Sequence, residues 1–217
     1  KMQVTVDGFV GGTSGELDWI FGSLSDDATS WIVDTLWQAG VHVMGRTAYH
    51  DMAAHWPTST EQFAAPMNEI PKVVFSKSLT EADWPETTIA DGDLTEEITR
   101  LKQTPGKDIV AHGGARFVQS LAAHGLVDEY RLVVHPVTLG AGLPLFTTRQ
   151  ELRLASATPF SGGAVALVYH PSRSPSPSPS PRRSRRRVPG RSVVDPDQIG
   201  ALKQRRRPAS GASHAYR

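Results

Sequence analysis

The stretch DIVAHGGARFVQSLAA, residues 108–123, decides the fold because two glycines join an apolar segment to an amphipathic one. Residues 108–111 are typical of a buried strand, and Phe117, Val118 and Leu121 keep helical spacing after Gly113-Gly114. The same order occurs upstream in VHVMGRT, residues 41–47, where Gly45 separates a strand from a short helix. Strand, glycine, helix is the unit from which α/β domains are built.

The rest of the chain up to residue 171 continues this alternation. Strands are predicted at 4–6, 41–44, 72–75, 108–111, 128–135 and 164–169, with a hairpin partner near 151–154. Helices are predicted from Ser25 to a stop at Gly40, from Gly45 to about Ala54, over 93–102 and after Gly114. Connections of this length favour a largely parallel sheet covered by helices on both faces.

Charge divides the chain into two parts. Residues 1–171 hold 11 Lys/Arg and 20 Asp/Glu, a formal charge of −9, whereas residues 172–217 hold 12 and 2, a charge of +10. The second part is a Ser/Pro repeat followed by arginine runs, and it has too few aliphatic residues to offset chain entropy. We predict one domain at 1–171 and a disordered tail at 172–217.

Several classes of protein are excluded or disfavoured by what the chain lacks. It has no cysteine, which excludes disulfides, thiol catalysis and cysteine-ligated metals. Its histidines are scattered without ligand spacing, so no metal site is predicted. No apolar run could cross a bilayer, and cytoplasmic localisation is expected. The abrupt start KMQVTV reads as the second half of a strand, so we expect residues upstream of Lys1.

Both strand–glycine–helix turns suit an anion, because glycine lets the backbone N–H groups of a helix N-terminus approach a phosphate. Arg46 and Arg116 follow the glycines at one and two residues, in a domain that is otherwise acidic. Neither turn matches the dinucleotide-binding GxGxxG or the P-loop pattern, and a tight strand-to-helix turn would also use glycine. Ser76-Lys77 follows a third strand and offers donors suited to a 2′-phosphate. The same residues are also typical of an ordinary polar turn with a solvated lysine.

In their order, these motifs resemble the dihydrofolate reductase-like superfamily. The segments that carry the resemblance are VDGFVG at 6–11, Trp19, MGR at 44–46, VFSK at 74–77 and GGAR at 113–116. Two later runs, GLVDE at 125–129 and PVTLGAGLPLF at 136–146, are more similar to the branch that holds the riboflavin-biosynthesis reductase domain.

The resemblance implies a twisted, mostly parallel sheet with NADPH lying across its C-terminal edge. Gly45, Arg46 and Thr47 would then meet the cofactor phosphates, and Ser76 and Lys77 would hold the adenosine 2′-phosphate. The turn of Gly113, Gly114, Ala115 and Arg116 would cradle the pyrophosphate.

The resemblance also implies where the substrate lies. The loop that contains Asp7 and Gly8, together with Trp19, would border the nicotinamide and the substrate. Dihydrofolate reductases carry a carboxylate early in the first helix, where this chain has Thr29 in register and Asp26 and Asp27 two or three residues away. Either aspartate could assist protonation, and both also fit as first-turn acids that stabilise the helix dipole.

The expected function is an NADPH-dependent reductase that transfers hydride to a small heterocyclic, carbonyl or imine substrate, acting on CH–NH or CH–OH groups. Dihydrofolate and 5-amino-6-(5-phosphoribosylamino)uracil are the substrates of the two related reductases. Two alternatives remain: weak, nonspecific nucleic-acid binding through the basic tail, and a non-catalytic NADP-binding protein. A homodimer is expected from the riboflavin-like branch, with 128–145 as its interface.

Overall fold

The structure is a computed structural model that describes residues 1–172, so the predicted disorder of the tail lies outside the described residues, Ser172 excepted. Its strands are β1 (Met2–Thr5), β2 (Phe9–Gly11), β3 (Ala39–Gly45), β4 (Lys72–Phe75), β5 (Thr87–Ala90), β6 (Asp108–Ala111), β7 (Tyr130–His135), β8 (Leu143–Pro144), β9 (Leu152–Pro159) and β10 (Val165–Pro171). Its α-helices are α1 (Asp26–Trp37), α2 (Arg46–His55), α3 (Ala64–Glu69), α4 (Leu94–Gln103) and α5 (Ala115–Ala123), and 3₁₀ helices occupy Asp18–Ser23 and Trp56–Thr58. Within 1–172, no helix is long and apolar enough to cross a membrane.

One half of the fold is a fully parallel sheet in the order β5-β4-β3-β6. Its inner strand β3 has four buried residues among seven, and α1 and α2 both pack against it. The predicted helix stop at Gly40 is wrong: α1 already ends at Trp37, and Gly40 lies inside β3. A Cβ at Gly40 would come within 3.2 Å of Lys107, so the glycine is needed for the close approach of that backbone.

The other half is a mixed sheet in the order β1-β7-β10-β9. β1 runs parallel to β7, with Thr5 opposite His135, and the hairpin of β9 and β10 adds antiparallel strands. The amino group of Lys1 donates to the Ala111 carbonyl at 3.2 Å, which places β1 beside β6. In the fully parallel sheet the C-terminal ends of β5, β4, β3 and β6 share one edge, which is the usual ligand-binding edge of α/β sheets.

The segments 64–69 and 87–90 were not predicted as regular structure, and both are short. α3 contains a proline, Pro66, and β5 is a four-residue edge strand that follows Glu86, a residue with a φ of 59°. Neither is long enough to show a period in the sequence.

β7 lies between β1 and β10, which bears on the expected dimer. Both of its edges are occupied by neighbouring strands, so residues 130–135 cannot pair with a second chain through their backbone, and the rest of 128–145 stays the predicted interface. β9 is the edge strand of this sheet, and seven of its eight residues are exposed. An exposed edge of this length is the part of a sheet most open to pairing with a second chain.

The core between α1, α2 and the sheets includes Ile32, Met44, Val74 and Trp84, each at most 2% exposed. Burying side chains of this size contributes about 1.5–3 kcal/mol each. Lys72 is buried among them, and its ammonium donates to the carbonyls of Met67, Asn68 and Ile70 at the end of α3. These acceptors, at the negative end of a helix, make the buried cation tolerable. Burial nevertheless lowers the pKa of Lys72 to about 8.

Two buried histidines connect β3, β6 and α3. His42 Nε2 donates to the Pro66 carbonyl at 3.1 Å, since a carbonyl can only accept. His42 Nδ1 therefore accepts, and His112 Nε2 donates to it at 2.9 Å. Burial lowers the pKa of His42 to about 4 and places that of His112 well below its ordinary value. Both rings are neutral at physiological pH.

The buried histidines predict a loss of stability on mild acidification. Because their pKa values are lower in the folded than in the unfolded chain, where the value is about 6.5, the unfolded state binds more protons below that pH. The free energy of unfolding should therefore fall as the pH drops from about 6.5 towards about 4. We expect His42 alone to contribute a decrease on the order of 2 kcal/mol between about pH 7.5 and pH 5, and His112 to add to it, measured by urea denaturation.

A pair of variants isolates this effect. His112→Gln should make the pH dependence less steep, since one of the buried histidines is removed, whereas His124→Gln, which changes an exposed histidine at the end of α5, should leave it unchanged. Equal slopes for both variants and the wild type would contradict the role given to the buried pair.

Candidate active site

Two predicted phosphate-binding turns meet at one cavity on the shared strand edge. The cavity has a volume of about 250 Å³. Its lining comprises Gly45, Arg46, Thr47 and Ala48 from one turn, Gly114, Arg116, Phe117 and Ser120 from the other, and Phe75 at the end of β4. Residues about 70 positions apart in the sequence thus form a single site. Gly113 and Ala115 belong to the second turn but are not among the residues that line the cavity.

The N-termini of α2 and α5 both reach this cavity without a side-chain cap. Gly45 and Gly114 occupy the N-cap positions, and neither can supply the oxygen that usually accepts the first N–H groups of a helix. α4 shows the contrast, since Asp93 caps it through the N–H groups of Thr95 and Glu96. In α5 the first backbone bonds are donated by Phe117 and Val118, which leaves two earlier N–H groups for a ligand. Such a helix end is suited to phosphate.

The lining of the cavity is positive. Arg46 and Arg116 are exposed there, and within residues 1–172 neither guanidinium forms an ion pair. No carboxylate of this part of the chain lines the cavity. Two free guanidinium groups and two helix N-termini form an anion-binding set with enough positive charge for more than one phosphate.

Glycine is required at both turns. A Cβ at Gly45 would lie 3.1 Å from the Cβ of Phe117, so α5 could not pack as closely against β3. Gly113 and Gly114 have φ angles of +47° and +72°, which side chains rarely adopt. The rings of Phe75 and Phe117 stand 5.2 Å apart and form an aromatic wall. The sequence analysis did not predict these two phenylalanines as site residues. The position of Phe117, three residues after Gly114, could have indicated that its side chain lies near the glycine turn.

Ser76 and Lys77 directly follow Phe75, so they stand at the rim of the cavity rather than in its lining. Ser76 Oγ accepts the N–H groups of Ser78 and Leu79, and its own proton remains free to donate. Lys77 is exposed.

Asp7 and Gly8 lie in the turn after β1. The Asp7 carboxylate accepts hydrogen bonds from Thr5 Oγ1 and from the N–H groups of Leu139 and Gly140. These bonds lower its pKa, the one from Thr5 most. The Gly8 carbonyl accepts from Leu145 N. In this geometry both residues join the first turn to the loop that follows β7.

Asp26 and Asp27 begin α1. The Asp27 carboxylate accepts from Ser25 Oγ, from Ser161 N at 2.9 Å and from Ser161 Oγ. These bonds, that of Ser25 first, lower its pKa to about 2, so Asp27 is ionised at neutral pH and attaches the β9–β10 turn to α1. Asp26 is exposed. A proton-donating role for either aspartate stays a prediction.

Trp19 is half-buried on the 3₁₀ helix Asp18–Ser23, where its indole stands edge-on to the His135 ring at a centroid distance of 5.3 Å. His135 is fully buried at the end of β7 and contacts Ser23 Oγ at 2.7 Å and Gln3 Oε1 at 2.8 Å. Sequence reasoning missed this group, because its members come from three separate segments.

A second cavity, of about 490 Å³, extends along β6 and reaches the first residues of β1 and β7. Its floor is aliphatic, with Ile98, Val118 and Leu121 among its residues. It is larger than the cavity at the helix N-termini, but neither glycine turn is part of its lining. We therefore place the candidate active site at the smaller cavity.

Comparison with known proteins agrees with this geometry. The sequence profile of the RibD C-terminal domain matches residues 1–166. The uncharacterized protein YyaP of Bacillus subtilis is 35% identical over 178 residues, which covers 78% of this chain and 92% of YyaP.

Solved structures give the same fold. A protein from Shewanella sp. PV-4 assigned to riboflavin biosynthesis superimposes with a TM-score of 0.66 at 20% identity, covering 79% of this chain and 97% of the other. Dihydrofolate reductase of Enterococcus faecalis, solved with NADP(H), gives a TM-score of 0.54 at 15% identity, covering 78% and 93%. With the profile match over most of the described residues, the chain belongs to the RibD C-terminal domain family, whose members are reductases of the dihydrofolate reductase-like type.

Proposed function

We propose that residues 1–171 bind NADPH across the shared strand edge and use it to reduce a small heterocyclic, carbonyl or imine substrate. The observation that carries this proposal is the meeting, at one cavity, of two uncapped helix N-termini and two arginines that form no ion pair within residues 1–172. The chain belongs to a family of reductases, and this supports the proposal that the bound cofactor reduces the substrate.

The residues present fit a dinucleotide phosphate. The backbone N–H groups at the start of α5 would hold the pyrophosphate, with Arg46, Thr47 and Arg116 around it. A cofactor 2′-phosphate would be held by Ser76 and Lys77 at the rim, since the serine hydroxyl proton is free and the ammonium is exposed. NADPH supplies a hydride when bound. Trp19 and the loop that contains Asp7 and Gly8 would border the substrate and separate it from bulk solvent.

The proton that accompanies the hydride has to reach the substrate from another group. Asp27 is ionised and saturated with hydrogen bonds, so it is poorly suited to donate. We propose that a water molecule delivers the proton. Asp27 would instead hold the β9–β10 turn against α1 through its hydrogen bonds to Ser161.

A melting screen tests the cofactor, and turnover tests the reaction. NADPH should raise the melting temperature more than NADH does, because only NADPH carries the 2′-phosphate. NADPH oxidation should then be measured with dihydrofolate, the pyrimidine ribosylamine, and quinone or nitro compounds. Stabilisation without turnover of any of them would favour the non-catalytic NADP-binding alternative, and no stabilisation by either nucleotide would remove the proposal.

Gly114→Ala should weaken NADPH binding by more than its effect on stability. Gly125→Ala is the matched control, because Gly125 has a φ of +64° at the other end of the same helix and is remote from the cavity. Both variants should lose about 1–2 kcal/mol of stability from backbone strain. Only Gly114→Ala should raise the Kd for NADPH, measured by titration of the intrinsic fluorescence. A similar Kd for both would contradict the phosphate-binding role of this turn.

Lys77→Gln should reduce the preference for NADPH over NADH by roughly tenfold, the value of one charged hydrogen bond. The affinity for NADH should stay the same, since NADH lacks the phosphate. Lys107→Gln changes an exposed lysine at the opposite edge of the sheet and serves as the control. Should Lys77→Gln weaken the binding of both nucleotides equally, the lysine contacts another part of the cofactor.

Asp27→Asn should lower the melting temperature, because the Ser161 contacts to the carboxylate are weakened. It should leave the pH dependence of kcat unchanged if water delivers the proton. The pH profile of single-turnover hydride transfer measures this, with Asp26→Asn in parallel. Disappearance of a titrating step in either variant would instead identify that aspartate as the proton donor.

Two partner predictions remain to be measured. Self-association would use the predicted region 128–145 or the exposed edge of β9, and light scattering on the purified chain reports its mass. Weak nucleic-acid binding by residues 172–217 would be lost on their deletion, whereas NADPH binding would not.

A further inference from the structure

His135 holds its place through two hydrogen bonds whose directions can be assigned. Gln3 Oε1 accepts from His135 Nε2 at 2.8 Å, and the neutral ring then presents Nδ1 as an acceptor. Ser23 Oγ, at 2.7 Å, donates to that atom. Burial lowers the pKa of His135 to about 4, which agrees with the neutral form. A fully buried imidazole is therefore satisfied on both sides, by β1 and by the 3₁₀ helix.

The 3₁₀ helix Asp18–Ser23 has few other polar links to the body of the domain. The side-chain bonds of residues 14–19 stay within the segment: Trp19 Nε1 donates to the Glu16 carbonyl, and the Glu16 carboxylate accepts from Ser14 N. The bond between Ser23 and His135 is the side-chain hydrogen bond that ties residues 13–23 to the sheet, among those the described residues form. Trp19 adds its edge-on contact to the same ring.

The segment also exposes apolar surface that packing does not explain. Phe21 is 73% exposed and Leu17 is 49% exposed, on either side of the half-buried Trp19. Between them, Trp19 contacts His135 at the carboxyl end of β7, where Thr5 of β1 is the paired residue. Apolar side chains held at such an edge are suited to cover a flat ring.

We propose that His135 is a positioning residue of the active site, which holds the 3₁₀ helix Asp18–Ser23, and with it Trp19, over the strand edge where the substrate is reduced. This inference rests on the proposed function and adds a residue to it. His135 does not touch the reacting atoms. It acts through Ser23 and Trp19, and a small displacement of a bordering group is costly for hydride transfer.

Ser23→Ala is the first test, because it removes one hydroxyl and leaves the imidazole in place. We expect kcat/KM for the reduced substrate to fall roughly tenfold, while the Kd for NADPH at the glycine turns stays the same. Thr35→Ala is the matched control: it also removes a buried hydroxyl, one that donates to the Trp31 carbonyl within α1. That variant should keep the wild-type kcat/KM.

The second readout does not require turnover. Acrylamide quenching of Trp19 fluorescence is measured as a difference. For the wild type and for each variant, the signal of the same chain carrying Trp19→Phe is subtracted from the signal of the chain that keeps Trp19. Ser23→Ala and His135→Gln should both make Trp19 more accessible to acrylamide, and Thr35→Ala should not. Using two variants guards against the case in which His135→Gln fails to fold.

The outcomes separate this inference from the proposed function. Unchanged Trp19 quenching in Ser23→Ala overturns the inference, and so does increased quenching with an unchanged kcat/KM. If the wild-type chain does not bind NADPH, the proposed function fails, and the quenching then shows only whether His135 holds the helix. Loss of kcat/KM together with increased quenching, at constant NADPH affinity, supports the inference.

Discussion

Two helices that begin at glycines on the same strand edge are the constraint on which the rest of the site depends. Gly45 and Gly114 stand where Asp93 caps α4, so the first N–H groups of α2 and α5 have no acceptor from an N-cap side chain. An anion can satisfy them, and the two arginines supply the charge. The close approach of Gly45 to Phe117 brings the two helix ends to one cavity.

Buried polar groups hold the elements that shape this edge. Lys72 is bound by three carbonyls at the end of α3, and His42 and His112 link α3 to β3 and β6. His135 joins the 3₁₀ helix Asp18–Ser23 to β1 and β7. Each group is hydrogen-bonded, which is the condition under which a polar group can be buried without a large penalty. The histidines are neutral, so acidification weakens the same contacts.

Much of the fold could be predicted from local patterns. The strands at 72–75 and 108–111 and the helices that follow Gly45 and Gly114 were correct because apolar periodicity and glycine punctuation coincide there. The helix stop at Gly40 was wrong because the glycine serves a contact with Lys107, which is 67 positions away. Local pattern cannot distinguish a glycine required by a turn from one required by a distant neighbour.

The sequence by itself determined which residue types are available for phosphate: two glycine turns, each with an arginine, and a Ser-Lys pair after a third strand. Only the tertiary structure decided that Gly45, Arg46 and Thr47 share a cavity with Gly114 and Arg116, while Ser76 and Lys77 stand at its rim. It also assigned Asp27 to the β9–β10 turn and brought His135 to Ser23 and Gln3. The reason is physical: periodicity and capping act over a few residues, whereas a site depends on strand order and on contacts across more than a hundred.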